Sequence, residues 1–570
     1  MLQIISGKFF HSKDRYTYGG KGILFGNYRW YEPIETCVAT LESVDIIGSV
    51  TSYVVSYVNQ IEKPGKAGPG TLLRTGDAEI VEQFRLLSIM GLQAYFHHDR
   101  ESVAIACRKQ PLSMSDRVPS SFVPRFFHSS VQETKDEAEF FVTYIKKVIG
   151  LPRIVYRAVL AAHKGFADAL EVSDHNIDLA YSLLVFVLEC LSQTFDNYSP
   201  TWDDYPNEVT SALDPILKNL EDSITKDIRR ALLRDRNLKL QKRFVDFVSA
   251  HVKKSFFIEE APVKRRALRK VELARALKNA YGMRSKYTHQ LQPIHELLRT
   301  SGFAASEVIL WEHEPYLSLA GLVRLVRHVI CSFVARQENL EEEDIDWRSE
   351  LPGVVHASLA PKYWIWRHDT FRPENATEKL EGFLQQIESA HISGESITDL
   401  RDLMSVYEKV LPRAYGTDKL RMFALYRAYS LIVQEDGRTQ NHKTFIAEHE
   451  RLLEECSVEA MLVLLILENK WQWEPRDLVK QWNLYQKHRY HSRGLAIPPG
   501  LEMLLQVEIA EAYLEAGSTQ RHSMWLGRVL LDASGRPSLQ LIIRGARSNR
   551  TKISHSAFWE TACEDAKQQK

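Results

Sequence analysis

Residues 174–195, Asp-His-Asn-Ile-Asp-Leu-Ala-Tyr-Ser-Leu-Leu-Val-Phe-Val-Leu-Glu-Cys-Leu-Ser-Gln-Thr-Phe, leave the chain the fewest options. Ile177, Ala180, Leu184, Leu188 and Leu191 recur every three or four residues, the period of a helix, and Asp174 is placed to cap its start. The stretch is apolar on nearly every side, so it has no face to offer water and other helices must surround it. Its most apolar part, residues 179–191, is too short to cross a bilayer and contains Glu189. A carboxylate there is costly unless it is paired. Either it meets a structural partner, or it points toward a site. The sequence supplies helices to surround it at 137–148, 154–163, 208–242, 244–257, 263–280 and 316–337, which together make a bundle.

One of those helices ends in Tyr281-Gly-Met-Arg284-Ser-Lys-Tyr-Thr-His289. Arginine stays charged and can clamp two phosphate oxygens at once, while histidine moves protons near neutral pH. On a continuous helix the two stand a turn and a half apart, close enough for both to reach one phosphate. Such a pair suffices in principle to cleave RNA without a metal. The 2′-hydroxyl attacks the neighbouring phosphate, His289 relays the proton, and Arg284 stabilises the charge of the transition state. The same spacing occurs at Arg157…His163 and Arg550…His555. Apolar neighbours mark the first as part of a packed helix, and the second lies in a polar tail with no helical frame.

Charge separates the first match from the others. The chain is formally neutral, yet residues 226–286 carry 19 Lys/Arg against 6 Asp/Glu, an excess of +13. A segregated basic region attracts polyanions, unless it is a solvated face balanced in space by the acidic run at 338–346. Of the basic residues before and within the motif, Lys264, Arg265, Arg266, Arg269, Lys270 and Lys286 are the candidates to meet RNA. Six scattered cysteines show no metal-ligand spacing and fit reduced thiols of a cytoplasmic protein. No metal or cofactor signature is present.

Leu-Val-Phe-Val-Leu-Glu-Cys-Leu at residues 184–191, then Tyr-x-x-Arg-Ser-x-x-x-His at 281–289, then a closing apolar helix, resemble the HEPN superfamily. The likeness is strongest to its Apea-like branch and covers residues 150–338. It implies a helical bundle that dimerises, with the Arg/His pairs of two protomers forming one site for metal-independent RNA cleavage, as in antiviral-defence and toxin systems. On this resemblance Arg284 and His289 are the catalytic pair, and Ser285 and Glu189 support it. Many relatives have glycine after the histidine where this chain has Gln290, which puts the local turn in question.

The expected fold class is mainly α: an α+β domain at 1–130, the HEPN-like bundle at 131–338, and an α-helical domain at 339–570 with a terminal hairpin. Strands are expected at residues 4–10, 22–30 and 46–58, a helix at 79–90, and a hairpin at 94–107 with His97-His98 at its solvated end. Gly19-Gly-Lys-Gly22 lacks phosphate-loop spacing and reads as a turn. Residues 63–70 read as a loop and 113–130 as a linker. Seven helices follow between 378 and 516, in the manner of stacked hairpins that bind a partner. His488-Arg-Tyr-His-Ser-Arg493 reads as a solvated loop with the composition to touch RNA. The expected partners are RNA, a second copy of the chain and a regulatory or sensor protein, with no membrane. A non-catalytic scaffold and an RNA-binding regulator without turnover are the alternatives. An open basic groove around Arg284 and His289 would favour the enzyme, and burial under packed side chains the scaffold.

Overall fold

The computed structural model describes residues 1–63, 76–109, 118–132, 134–233, 238–261, 266–300, 306–351, 359–369, 371–491 and 494–568. The chain divides into two compact units, Met1–Val355 and His356–Lys570, and it is mainly helical.

Unit 1 opens with α1 (Leu2–Ile5), β1 (Arg15–Gly26), β2 (Tyr28–Arg29), β3 (Ile34–Glu35), β4 (Ala39–Ile47) and β5 (Val50–Glu62). Next come α2 (Ala78–Leu92), β6 (Phe96–His97), α3 (Arg100–Ala106), α4 (Pro119–Phe122) and β7 (Val131–Gln132). The main sheet is antiparallel in the order β3-β4-β5-β1-β6, and β1 and β5 pair along their whole length. The segment expected as an opening strand begins instead with the buried helical turn α1, where Gln3 donates to the carbonyls of Ile149 and Leu151. Residues 46–58 are two strands, because the chain reverses at Gly48, whose φ of +65° suits glycine. Gly19–Gly22 is strand, not turn. A Cβ on Gly20 would strike the Tyr57 ring at 2.3 Å, and one on Gly22 would strike Val81 of α2 at 2.3 Å, so close packing requires the glycines. The expected hairpin at 94–107 fails for a local reason. Asp99 accepts from the Ser102 N–H at 2.7 Å and caps α3, which turns the second arm into helix.

The bundle consists of α5 (Lys135–Gly150), α6 (Arg153–Glu171), α7 (Ile177–Phe195), α8 (Asn207–Leu217), α9 (Asp222–Leu232), α10 (Leu240–His251), α11 (Lys270–Gln290) and α12 (Leu319–Arg336), with the hairpin β8 (Val308–Trp311) and β9 (Glu314–Leu317) before α12. The apolar helix α7 packs against α6, α10, α11 and α12. At 19 residues it has the length and apolarity of a membrane span, contrary to the shorter stretch read from the sequence. Its contacts make it a core helix. Asn176, rather than Asp174, caps it by accepting from the Leu179 N–H. The single helix expected over 208–242 is three, and the β8–β9 hairpin was not expected at all.

One hydrophobic core runs from Met1 through Leu351, so sheet and bundle share it. The acidic stretch after α12 does not balance the basic helix. It turns back to the start of the unit, where Leu340 N–H donates to the Gly150 carbonyl, Glu343 accepts from the Arg153 N–H at 2.8 Å, and Trp347 packs on Phe10 at 5.1 Å.

Unit 2 contains α13 (Ala376–Ser393), α14 (Arg401–Val410), α15 (Gly416–Ile432), α16 (His442–His449), α17 (Val458–Ile466), α18 (Pro475–His488), α19 (Pro499–Glu515), α20 (Thr519–Asp532), α21 (Pro537–Asn549) and α22 (His555–Gln568) around its own core. The terminal hairpin is helical, α20 packed on α21. The supposedly unframed Arg550…His555 match spans a helix break: Arg550 ends α21 at φ +56° and His555 begins α22. Residues 64–70, read as a loop, and 113–117 of the expected linker lie outside the described residues; the rest of that linker is not a free connector, since it contains α4 and buries Phe122, Val123, Phe126 and Phe127 in the core.

Candidate functional site

Helix α11 carries the Arg/His motif. Leu273, Ala276, Leu277, Ala280 and Arg284 form its buried stripe at helical spacing. Val271 is 82% exposed, because it falls off that stripe. Arg275 and Asn279 on the outer side reach Glu314 of β9 at 2.5 and 3.2 Å, which ties α11 to the hairpin.

Arg284 is the polar member of the buried stripe. Its guanidinium pairs with Glu189 of α7, and the two side chains are 8% and 7% exposed. Phe186 covers one side of the guanidinium at 4.1 Å, and Tyr281, one turn earlier on α11, lies at 5.1 Å. The Tyr281 hydroxyl donates to Glu189 Oε1 at 3.1 Å, and Phe244 of α10 backs the Tyr281 ring at 5.4 Å. Arg284 Nε is buried without a hydrogen-bond partner. Burial lowers the arginine's affinity for its proton. Charge in such a wall persists because it is paired.

His289 stands apart from this cluster. Five residues along a continuous helix rotate a side chain by about 140° and advance it about 7.5 Å. Arg284 therefore faces the core, whereas His289 is exposed in the last turn. Within one chain they do not converge on a single phosphate. The helix stops at Leu291, with φ +54°. Beyond it Asp178 of α7 accepts from the Ile294 N–H at 2.8 Å and pairs with Arg299 at 3.5 Å, while Asn176 donates to the Tyr287 hydroxyl at 3.4 Å. These contacts hold the end of α11 against the start of α7, and they leave His289 with no hydrogen bond or ion pair among the described residues.

The remaining candidates are distributed unevenly. Ser285 is half-buried and makes no hydrogen bond among the described residues, and Lys270 and Lys286 are exposed. Arg266 and Arg269 are tied to Glu272, at 3.5 and 2.6 Å, and the Arg269 hydrogen bond holds that carboxyl below its usual range. Lys264 and Arg265 lie outside the described residues. Arg229, Arg230 and Arg243 are likewise paired with Asp214, Asp227 and Asp196. Among the described residues, Arg229, Arg243, Arg275 and Arg284 pair with acids outside residues 226–286, which offsets only four of the thirteen excess charges.

Of the discounted pairs, His163 is buried between the Tyr144 hydroxyl and the Val159 carbonyl, and burial lowers its pKa to about 4. His98 meets Glu82 at 2.8 Å. Among the described residues no three His, Cys, Asp or Glu side chains are grouped to hold a metal. Sequence reasoning passed over Phe186, Tyr281 and Asp178 as site residues. The signal for the first two was available: Tyr281 lies one turn before Arg284, and Phe186 lies three residues before Glu189. No family model, no curated protein and no solved structure matches the chain.

Proposed function

We propose that this protein is a metal-independent endoribonuclease of the HEPN type, acting as a dimer in antiviral defence or a toxin-like system. The observation that carries the reading is the free imidazole of His289 at the open end of α11, on the same helix as an arginine held in reserve by Glu189. His289 takes the proton from the RNA 2′-hydroxyl as its oxygen attacks the adjacent phosphorus, and the P–O5′ bond breaks as the 5′-oxygen takes a proton from the partner's His289. The products are a 2′,3′-cyclic phosphate and a 5′-hydroxyl. Arg284 binds the phosphate once its pair with Glu189 opens, and a second protomer brings a second His289 to the same site. Lys270 and Lys286 supply exposed positive charge for the RNA backbone.

The burial of Arg284 favours a second reading. There the Arg284–Glu189 pair is a structural pin, and the bundle is a non-catalytic scaffold. His289 separates the two readings cleanly, because it is exposed and its removal leaves the core intact. Protein is incubated with total RNA in EDTA. Fragments ending in 2′,3′-cyclic phosphate from the parent protein, and none from His289→Ala, are the expected result. Intact RNA with the parent protein, also after expression in infected cells, refutes the nuclease reading.

A further inference from the structure

Among the exposed large apolar side chains, the two most exposed are Tyr415 at 87%, which lines a cleft of unit 2, and Tyr490 at 85%, which stands in sequence between two residues that line the same cleft. The cleft has a volume of about 650 Å³ and forms where the starts of α15 and α17 meet the end of α18. Tyr415, Arg421, Glu459, His488, Arg489 and His491 line it. Tyr490 sits between the last two in sequence, with the Arg489 guanidinium 4.9 Å from its ring, and the His488 and His491 rings are 5.0 Å apart. The turn that carries Tyr490 is closely packed, since a Cβ on Gly494 would lie 2.1 Å from the His488 carbonyl oxygen.

Two aromatic rings left in water, one lining the cleft and one beside its Arg489, are costly for folding and useful for stacking. The cations beside them are flat, and both arginines are held in place: Arg489 by Glu502 at 2.9 Å and Arg421 by Glu459 at 3.0 Å. These carboxylates leave the cleft close to neutral. Attraction there rests on ring faces more than on net charge. Unpaired nucleic-acid bases are recognised in this way, through aromatic stacking and planar cations, and duplex bases cannot reach such surfaces.

We propose that this cleft binds single-stranded RNA, with bases stacking on Tyr415 and Tyr490 and with Arg489, His488 and His491 contacting the sugar-phosphate chain. The inference deepens the nuclease reading by naming the form of its substrate, and it gives unit 2 the task of holding the strand.

The test uses the full chain and a fluorescein-labelled 2′-O-methyl uridine 12-mer, which cannot be cleaved through a 2′-hydroxyl, so the result stands whether or not the protein is a nuclease. Tyr415→Ala/Tyr490→Ala is expected to weaken binding about tenfold or more, and Tyr415→Phe/Tyr490→Phe to retain it. Three results overturn the proposal: unchanged affinity in the alanine variant, equal affinity for a 2′-O-methyl duplex, or displacement of the oligonucleotide by a polyglutamate peptide that depends on the same two tyrosines. Both side chains are exposed, so the variants fold.

Discussion

Replacing Glu189 with leucine should expose how much of unit 1 depends on one ion pair. The substitution leaves the Arg284 guanidinium in an apolar wall, against Phe186 and Tyr281, with its charge unanswered. An uncompensated buried charge of this kind costs about 3–5 kcal/mol. Arg284→Met should cost a similar amount from the other side, since Glu189 then retains only the Tyr281 hydroxyl. The double variant Glu189→Leu/Arg284→Met removes both charges and fills the space. It should lie within about 2 kcal/mol of the parent, the remainder including about 1 kcal/mol for the orphaned hydroxyl. Urea unfolding followed by circular dichroism reads the difference. With a slope of about 3 kcal/mol per molar urea, each single variant should lower the midpoint of unit 1 by about 1–1.7 M, and the double variant by about 0.7 M or less. Single variants no worse than the double would show that the pair is solvated, and the argument from burial would fall. The same energy bears on catalysis. Freeing Arg284 for a phosphate is disfavoured by about two to four orders of magnitude, which RNA or a partner must offset.

Three further outcomes follow from the same structure. Gly321→Ala sets a Cβ 2.4 Å from the Glu307 carbonyl oxygen, so it should destabilise unit 1 by about 1–3 kcal/mol and lower its melting temperature. Asp178→Ala removes the acceptor for the Ile294 N–H and the partner of Arg299; faster hydrogen exchange at residues 287–300, with little change in α7, is the expected readout. Burial pushes the Glu82 carboxyl up, but hydrogen bonds from Arg85 and His98 prevail and hold it down at about 2. A depressed carboxyl stabilises the fold above its unfolded value near 4.5, and the contribution is lost as pH falls from there through 2. Glu82→Gln should therefore flatten the urea midpoint between pH 5 and pH 3, and an unchanged slope would remove Glu82 from the account.

Where a segment's periodicity was strong, the sequence was legible. α7 stands out because an apolar run of that length has no other stable home, and α12 for the same reason. The helices of unit 2 from α13 to α19 were found within a few residues, but α22 was missed although Phe558, Trp559, Ala562 and Cys563 recur at helical spacing. The one proline in the stretch 208–242, Pro215, sits inside α8 and does not mark where that helix ends, at Leu217. The strand glycines misled because what requires them, the Tyr57 ring and Val81, is distant in sequence. At the candidate site, the motif lies on one continuous helix, α11, but its arginine and histidine do not face one phosphate as their spacing suggested. Leu273, Leu277, Ala280 and Arg284 recur at four, three and four residues, which already assigns the arginine to the core side. Its partner lies 95 positions upstream, and the choice between a structural and a site-directed Glu189 needed the fold.

The return of residues 338–351 to the beginning of unit 1 bears on how this protein can be cut. Arg153 touches Gln3 at 3.1 Å and Glu350 at 2.7 Å, so the first and last segments of the unit lie side by side. A fragment trimmed to the bundle, residues 131–338, would lose the Trp347–Phe10 contact and the Glu343 acceptor together, and would bare the apolar flank that the sheet covers. Such a piece is expected to aggregate, whereas residues 1–351 keep the closure. The same adjacency makes the unit a good subject for circular permutation, with a short linker joining 351 to 1 and new ends opened in an exposed turn.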